Sequence, residues 1–250
     1  MIPVMPGRRG FLGLAGAALL GALAARPRAA RPADEKTARR MKIGVIGSGR
    51  IGGRLGELWV KAGHEVVFSA RTIEEVNELV ARLNLGPAAR AGTPREAAVF
   101  GEVILISVPY HALPQLGRDL AAELKGKVLL ETGNPYPSRD GDMALEARAK
   151  GTGVASAEFL PGVRLVRAFN SVSYLALRSE AHRPGERVAI PLAADDEAAL
   201  KIAAGLVEDA GFEPVAVGPL SRAKEFDFGT RVYGWAVTAR ELRRGLGIDR

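Results

Sequence analysis

The stretch "KIGVIGSGRIGGRLGELWVKAGHEVVFSA", Lys42 to Ala70, constrains the fold more than any other part of the chain. It opens on an apolar run that reads as a buried strand. "GSGRIG" follows, with Gly47, Gly49 and Gly52 in G-x-G-x-x-G spacing. Helical periodicity then runs through Ile51, Leu55, Leu58 and Trp59, and a second strand, "HEVVFSA", comes at the right distance. A strand, a glycine turn and a helix in this order form a dinucleotide-binding unit. The glycines allow a tight turn, close approach of backbone to a pyrophosphate, and helix–strand packing. The pyrophosphate sits where unpaired N–H groups and the helix dipole favour an anion. The expected fold is α/β: a Rossmann-type, doubly wound, mostly parallel sheet.

The end of the second strand selects the dinucleotide. An acid there would accept hydrogen bonds from ribose hydroxyls. This strand instead ends in Ser69, Ala70, Arg71 and Thr72. A carboxylate repels a 2′-phosphate, whereas a guanidinium pairs with it. The site therefore calls for NADP(H), with Arg71 on the phosphate and hydroxyls from Ser69 and Thr72. The alternative is that Arg71 is a solvated residue at a helix start.

Three later strands deliver residues to the same edge. "EVILISVPYHAL" ends in Ser107, Val108 and Pro109, with His111 just beyond; "KVLLETGNPYP" ends in Thr132, Gly133, Asn134 and Pro135. "VRLVRAFNSVS" ends in Phe169, Asn170 and Ser171. Ligands in open α/β sheets collect at the carboxyl ends of strands, so the nicotinamide is expected there. Asn134 and Asn170 read either as ring contacts or as turn and capping residues. His111 reads either as a proton donor beside the nicotinamide or as a helix-start residue. His64 reads as structural, and His182 lies in a loop. After these come a strand "RVAIPLA", a helix with Asp195 as N-cap and Gly211 as stop, a strand "FEPVAVG", and one helix over "LSRAKEFDFGTRVYGWAVTAREL". The expected division is a leader and linker over 1–40, a nucleotide-binding domain over 41–194, and a small C-terminal α/β extension over 195–250.

Composition excludes several chemistries. The chain has no cysteine and three histidines, so disulfides, thiolate chemistry and a zinc site are not expected. The net charge is +7. Residues 1–40 hold eight basic residues against two acidic, so six of those seven charges lie there. The part from Met41 is nearly neutral and carries no nucleic-acid footprint. "RRGFLGLAGAALLGALAA" pairs Arg8 and Arg9 with an apolar run shorter than the ~20 residues of a membrane span. It fits a twin-arginine signal peptide, with Ala22-Leu23-Ala24 as a cleavage site. Export is the expectation, with a cytoplasmic protein starting at Met41 as the alternative, and neither involves a permanent membrane span.

The segments "MKIGVIGSGRIGGRL", "GHEVVFSAR", "VRAFNSVS" and "PLAADDEAALKIAAGLVEDAGFEPVAVGPLSRAKEFD" resemble the NADPH-dependent coenzyme F420 (8-hydroxy-5-deazaflavin) oxidoreductases. They are also similar to the related reductase domains of six-transmembrane metalloreductases. "ETGNPYP" is less like either family. The resemblance implies hydride transfer between NADP(H) and a deazaflavin or flavin, a small-molecule redox acceptor. It implies Gly47, Ser48, Gly49, Arg50 and Ile51 at the pyrophosphate, Ser69, Arg71 and Thr72 at the 2′-phosphate, and Asn134 and Asn170 near the two rings. Hydride transfer needs no nucleophile, so the lack of a triad or carboxylate pair agrees with it. Two rivals stand beside this reading. Imine or hydroxyacid reductases carry a large helical domain after the nucleotide unit, for which too little chain follows "RAFN". A non-catalytic, redox-sensing NADP-binding module would keep the cradle without an acceptor site. The apolar C-terminal helices suit a homodimer.

Overall fold

The computed structural model describes residues 40–248; the proposed leader lies outside them. The elements run β1 (Lys42–Ile46), α1 (Arg50–Lys61), β2 (Glu65–Ser69), α2 (Ile73–Leu83), β3 (Ala89–Ala91), α3 (Pro94–Phe100), β4 (Val103–Ile106), α4 (Leu113–Asp119), α5 (Ala121–Leu124) and β5 (Val128–Glu131). They continue α6 (Pro137–Asp140), α7 (Asp142–Lys150), α8 (Thr152–Phe159), β6 (Arg164–Arg167), α9 (Tyr174–Ser179), β7 (Ala189–Ala194), α10 (Glu197–Asp209), β8 (Glu213–Gly218) and α11 (Ala239–Leu246).

The eight strands form one sheet in the order β3-β2-β1-β4-β5-β6-β7-β8. Only the β6–β7 pair is antiparallel. From β1 the chain first winds outward to β3, then returns and winds the other way from β4. The crevice at the carboxyl ends of β1 and β4 is therefore the switch point where such sheets bind ligands. Strands β4 and β5, "VILI" and "VLLE", are buried along their whole length. Helices cover both faces, so these strands are near-continuous apolar runs rather than alternating ones.

Two apolar layers sandwich the sheet. One is built on Trp59 of α1, Phe68, Phe169 and Phe212, with Trp59 and Phe212 each meeting Phe169 edge-on at 6.4 and 6.3 Å. The Trp59 indole donates to the Leu206 carbonyl of α10 at 2.8 Å, satisfying its one polar atom in the core. The other layer packs α3, α4, α5, α7 and α8 beneath Ile104, Ile106 and Leu129. His64 is buried, as its structural reading requires: its Nδ1 accepts from the Met41 N–H at 3.2 Å and its Nε2 donates to Asp209 at 3.1 Å.

Strands β7 and β8 continue the same sheet. The C-terminal part departs from expectation in two ways. The cap of α10 is Asp196, which accepts from Ala199 N–H at 2.9 Å. Its neighbour Asp195 instead accepts from Leu220 N–H at 2.9 Å. The single helix expected over 220–242 is broken. A 3-10 segment ends at Glu225, and α11 starts at Ala239. Gly229 and Gly234 take φ of +91° and +80°, which no helix tolerates, and the Gly234 N–H donates to Ser171 O at 2.7 Å. The intervening loop is thereby folded back over the carboxyl end of the sheet.

Trp59 is the largest fully buried side chain. Trp59→Ala should cost about 3–5 kcal/mol, the range for emptying such a site. Urea unfolding measures this directly, and a loss below about 1 kcal/mol would show that the layer collapses around the gap.

Candidate functional site

The glycine turn is built by backbone bonds. The N–H groups of Gly47 and Ser48 both donate to Ser69 O, at 3.0 and 2.9 Å. This ties the end of β2 to the turn after β1. Gly47 has φ +96°, and a Cβ there would collide with Ser107 O and Val108. Gly52 is packed just as closely against Gly47 O. Gly49 is different: a Cβ built there meets no protein atom within 4 Å. Its lack of a side chain serves no packing need, and the space before it is open. It caps α1 without any side-chain bond, and the first turn of α1 has no acid. The N–H groups and positive dipole end of α1 are thus left open to an anion. Beside them the Ser48 hydroxyl is buried without a partner.

Arg71 and Thr72 follow β2 and are exposed. Arg71 has no ion-pair partner among the described residues. Thr72 caps α2, accepting from Glu75 N–H at 3.4 Å. The Ser69 hydroxyl is not offered to a phosphate. It is buried and donates to Val45 O at 2.8 Å, so the contribution of Ser69 is its carbonyl, which shapes the turn.

A cavity of ≈500 Å³ lies in the crevice. Gly49, Arg50 and Ile51 wall one side, and Ser107, Val108 and Pro109 line it after β4. Asn134 and Asn170 close it from the ends of β5 and β6, together with Tyr136, Arg139, Phe169, Tyr174 and Tyr233. Eleven residues singled out from the sequence therefore meet in one cavity. Pro135 is buried behind it. Phe169 holds φ +59°, a costly conformation for a bulky residue, and two edge-on ring contacts pin it there.

His111 is not in the cavity wall. Its side chain is half exposed and its Nδ1 lies 2.8 Å from Asp140 Oδ1. The structure thus gives it a pairing role rather than that of a proton donor at the ring. Burial pushes the Asp140 carboxyl up, but hydrogen bonds from Arg139, Tyr136 N–H and His111 outweigh it and hold Asp140 well below the usual range.

Both asparagines are oriented by partners that cannot be reversed. Asn134 Nδ2 donates to Asn170 O at 2.8 Å and Tyr233 Oη at 3.4 Å. Asn170 Nδ2 donates to Phe226 O at 3.4 Å and Asp227 at 3.3 Å. Carbonyls and carboxylates accept only, which fixes the amide flips. Each Oδ1 is left buried without a donor. Two unfilled acceptors in one cavity wall suit a ligand with N–H groups, such as a carboxamide or a ring imide.

Beneath the cavity lies a cluster that sequence reasoning missed. Arg167 is fully buried and pairs with Glu131 and, at 3.2 Å, with Asp227. Glu131 accepts from the Gly133 N–H and from Ser156 Oγ at 3.0 Å, while Arg167 donates to Gly133 O at 2.9 Å. Asp227 accepts from the Thr152 hydroxyl. Burial pushes Glu131 up against the pull of Arg167, whereas at Arg167 the two carboxylates outweigh burial and keep the guanidinium protonated. The available signal was a charge at the end of each of two adjacent apolar strands; Glu131 and Arg167 stand opposite one another in register.

The fold and crevice define a Rossmann-type dinucleotide-binding protein. Residues 42–135 match the family model described as NADP oxidoreductase, coenzyme F420-dependent. An F420-dependent NADP reductase of Methanothermobacter thermautotrophicus is 30% identical over 197 residues, covering 74% of this chain and 84% of that protein. The metalloreductase STEAP3 of Rattus norvegicus is 28% identical over 186 residues; the match covers 74% of this chain and only 36% of that protein. Among solved structures, a hypothetical protein from Sinorhizobium meliloti shares the fold with a TM-score of 0.69 at 20% identity, over 79% of this chain and 95% of that one. The chain belongs to the coenzyme F420-dependent NADP oxidoreductase family, and is an NADP(H)-dependent oxidoreductase.

Two substitutions test the cradle. Gly49→Val should abolish NADP(H) binding in equilibrium titration while thermal unfolding stays unchanged, because the valine fills only ligand space. Normal binding by this variant would remove the turn from the phosphate site. Arg71→Ala should weaken NADPH by about 1.5–3 kcal/mol, the value of a charge-assisted hydrogen bond, and leave NADH nearly unaffected. Equal losses for both nucleotides would show instead that Arg71 supports the fold.

Proposed function

We propose that the protein passes a hydride between NADPH and a planar conjugated ring, a deazaflavin such as coenzyme F420 or a flavin. One observation carries this reading: a single cavity is walled both by the phosphate cradle at α1 and by the amides at the ends of β5 and β6. NADPH, when bound, supplies the hydride. The protein's share is binding, orientation and exclusion of water. The open start of α1 with Ser48 holds the pyrophosphate, and Arg71 holds the 2′-phosphate. Asn134 Oδ1 and Asn170 Oδ1 accept N–H groups of the two rings and set the angle at which they stack. Phe169, Val108 and Ile51 give the wall its apolar surface and keep water out.

The test uses NADPH deuterated at C4, one face at a time. Label from one face should appear in a deazaflavin acceptor. Loss of all label to solvent, or no oxidation with any ring acceptor, would favour a binding module without an acceptor site. Asn170→Leu should lower kcat and kcat/KM together while NADPH affinity falls less, the signature of an interaction made mainly in the transition state. A pure rise in KM would assign Asn170 to ground-state binding.

A further inference from the structure

Reduction of a conjugated ring by two electrons adds a hydride and one proton, so something must supply the proton. We propose that Tyr136 is the proton donor to the reduced ring and that Tyr233 positions and replenishes it; this rests on the hydride-transfer reading above. The cavity wall contains no carboxylate and no imidazole. Its oxygen acids are three phenols. Tyr174 is stacked under the Arg50 guanidinium at 4.8 Å, on the phosphate side. Tyr136 and Tyr233 stand on the amide side with their hydroxyls 2.7 Å apart.

Either phenol can be the donor in that bond. Tyr233 Oη also accepts from Asn134 Nδ2 at 3.4 Å. With Tyr233 donating to Tyr136, the Tyr136 proton is free for the cavity. Burial, together with the bond to Tyr136, pushes the Tyr233 phenol well above its ordinary range, so it keeps its proton at rest. The Arg139 guanidinium lies over the Tyr136 ring, 5.1 Å from its centre. Phe228 packs edge-on against both rings, at 4.8 and 5.3 Å, and fixes their relative pose.

The step balances. The hydride leaves C4 of NADPH, which departs as NADP+. The ring takes that hydride and the Tyr136 Oη proton. Tyr136 then takes the Tyr233 Oη proton, and water restores Tyr233 from the half-buried edge of the pair.

The experiment begins with wild-type protein and C4-deuterated NADPH. Failure to pass label to any ring overturns the hydride reading, and this proposal with it, before any variant is made. With label transfer established, Tyr136→Phe should lower kcat about 10²-fold, the low end for a positioned proton donor, and Tyr233→Phe by less. NADPH affinity by fluorescence titration and thermal unfolding should be unchanged in both. Turnover of Tyr136→Phe should rise with the concentration of small buffer acids, which replace the lost donor, while the wild-type rate does not. Wild-type turnover in Tyr136→Phe would assign the proton to water and overturn the proposal while leaving hydride transfer standing. Equal losses of NADPH affinity, stability and turnover, without response to buffer acids, would make Tyr136 merely structural and overturn it as well.

Discussion

The site depends on one guanidinium. Arg167 is fully buried at the end of β6 and bonded to Glu131 at the end of β5 and Asp227 in the C-terminal segment. Burying a charge costs several kcal/mol unless its partners are well placed, and removing one partner of such a pair costs about 3–5 kcal/mol. The same contacts set the ligand site. Glu131 and Arg167 grip the N–H and C=O of Gly133, which fixes the peptide leading into Asn134. Asp227 holds the amide of Asn170 and the start of α8. The ends of two strands, a helix start and a distant loop thus share one cation. Its partner Asp227 helps settle which way Asn170 presents its acceptor.

That arrangement explains what could be read from the sequence. The cradle was legible because backbone geometry demands a residue type. Gly47 needs a positive φ and close approach, Gly49 needs empty space, and both demands leave a mark at fixed spacing. The parallel strands were legible because burial on two faces removes polar residues from them. The ion cluster left no such mark. Its members are separated by 36 and 60 positions, and each alone resembles a charged strand end or a loop acid. Tyr136 and Tyr233 are 97 positions apart, and Tyr233 fell in a stretch that reads as helix by composition. Two glycines, neither in a recognisable turn motif, return that stretch to the site. In "ADDE" two adjacent acids are chemically equivalent candidates for a cap, and only the path of the chain into α10 selects Asp196.

Burial divides the charged groups by task. Glu131, Arg167 and Asp227 are sealed beneath the cavity and serve the backbone; none of them lines it. The wall itself offers neutral amides, phenols and hydroxyls, with cations at Arg50 and Arg139 and no anion. That polarity fits the proposed hydride transfer. A nucleotide brings its own negative charge, and a ring accepting a hydride gains more, so a carboxylate in the wall would oppose both binding and reduction. Fixed neutral dipoles do not reorganise when charge moves, and they need no titration to be ready.

The same logic gives the C-terminal loop its place. The strand ends of an open sheet can seat a nicotinamide, but one edge of the crevice stays open to water. Here residues 226–234 cross that edge, anchored by Asp227 on Arg167 and by Gly234 on Ser171. They bring Tyr233 against Tyr136 and leave Phe228 wedged between the two rings and Arg148, whose guanidinium lies 5.2 Å from the Phe228 ring. The segment supplies no charge to the cavity wall. It shields Asn134 and Asn170 from solvent, so that their unfilled oxygens retain the full strength a dry site gives a hydrogen bond. The loop that completes the wall is held to the buried cation by Asp227, which also orients the Asn170 amide, so loop and amide stand in a fixed relation.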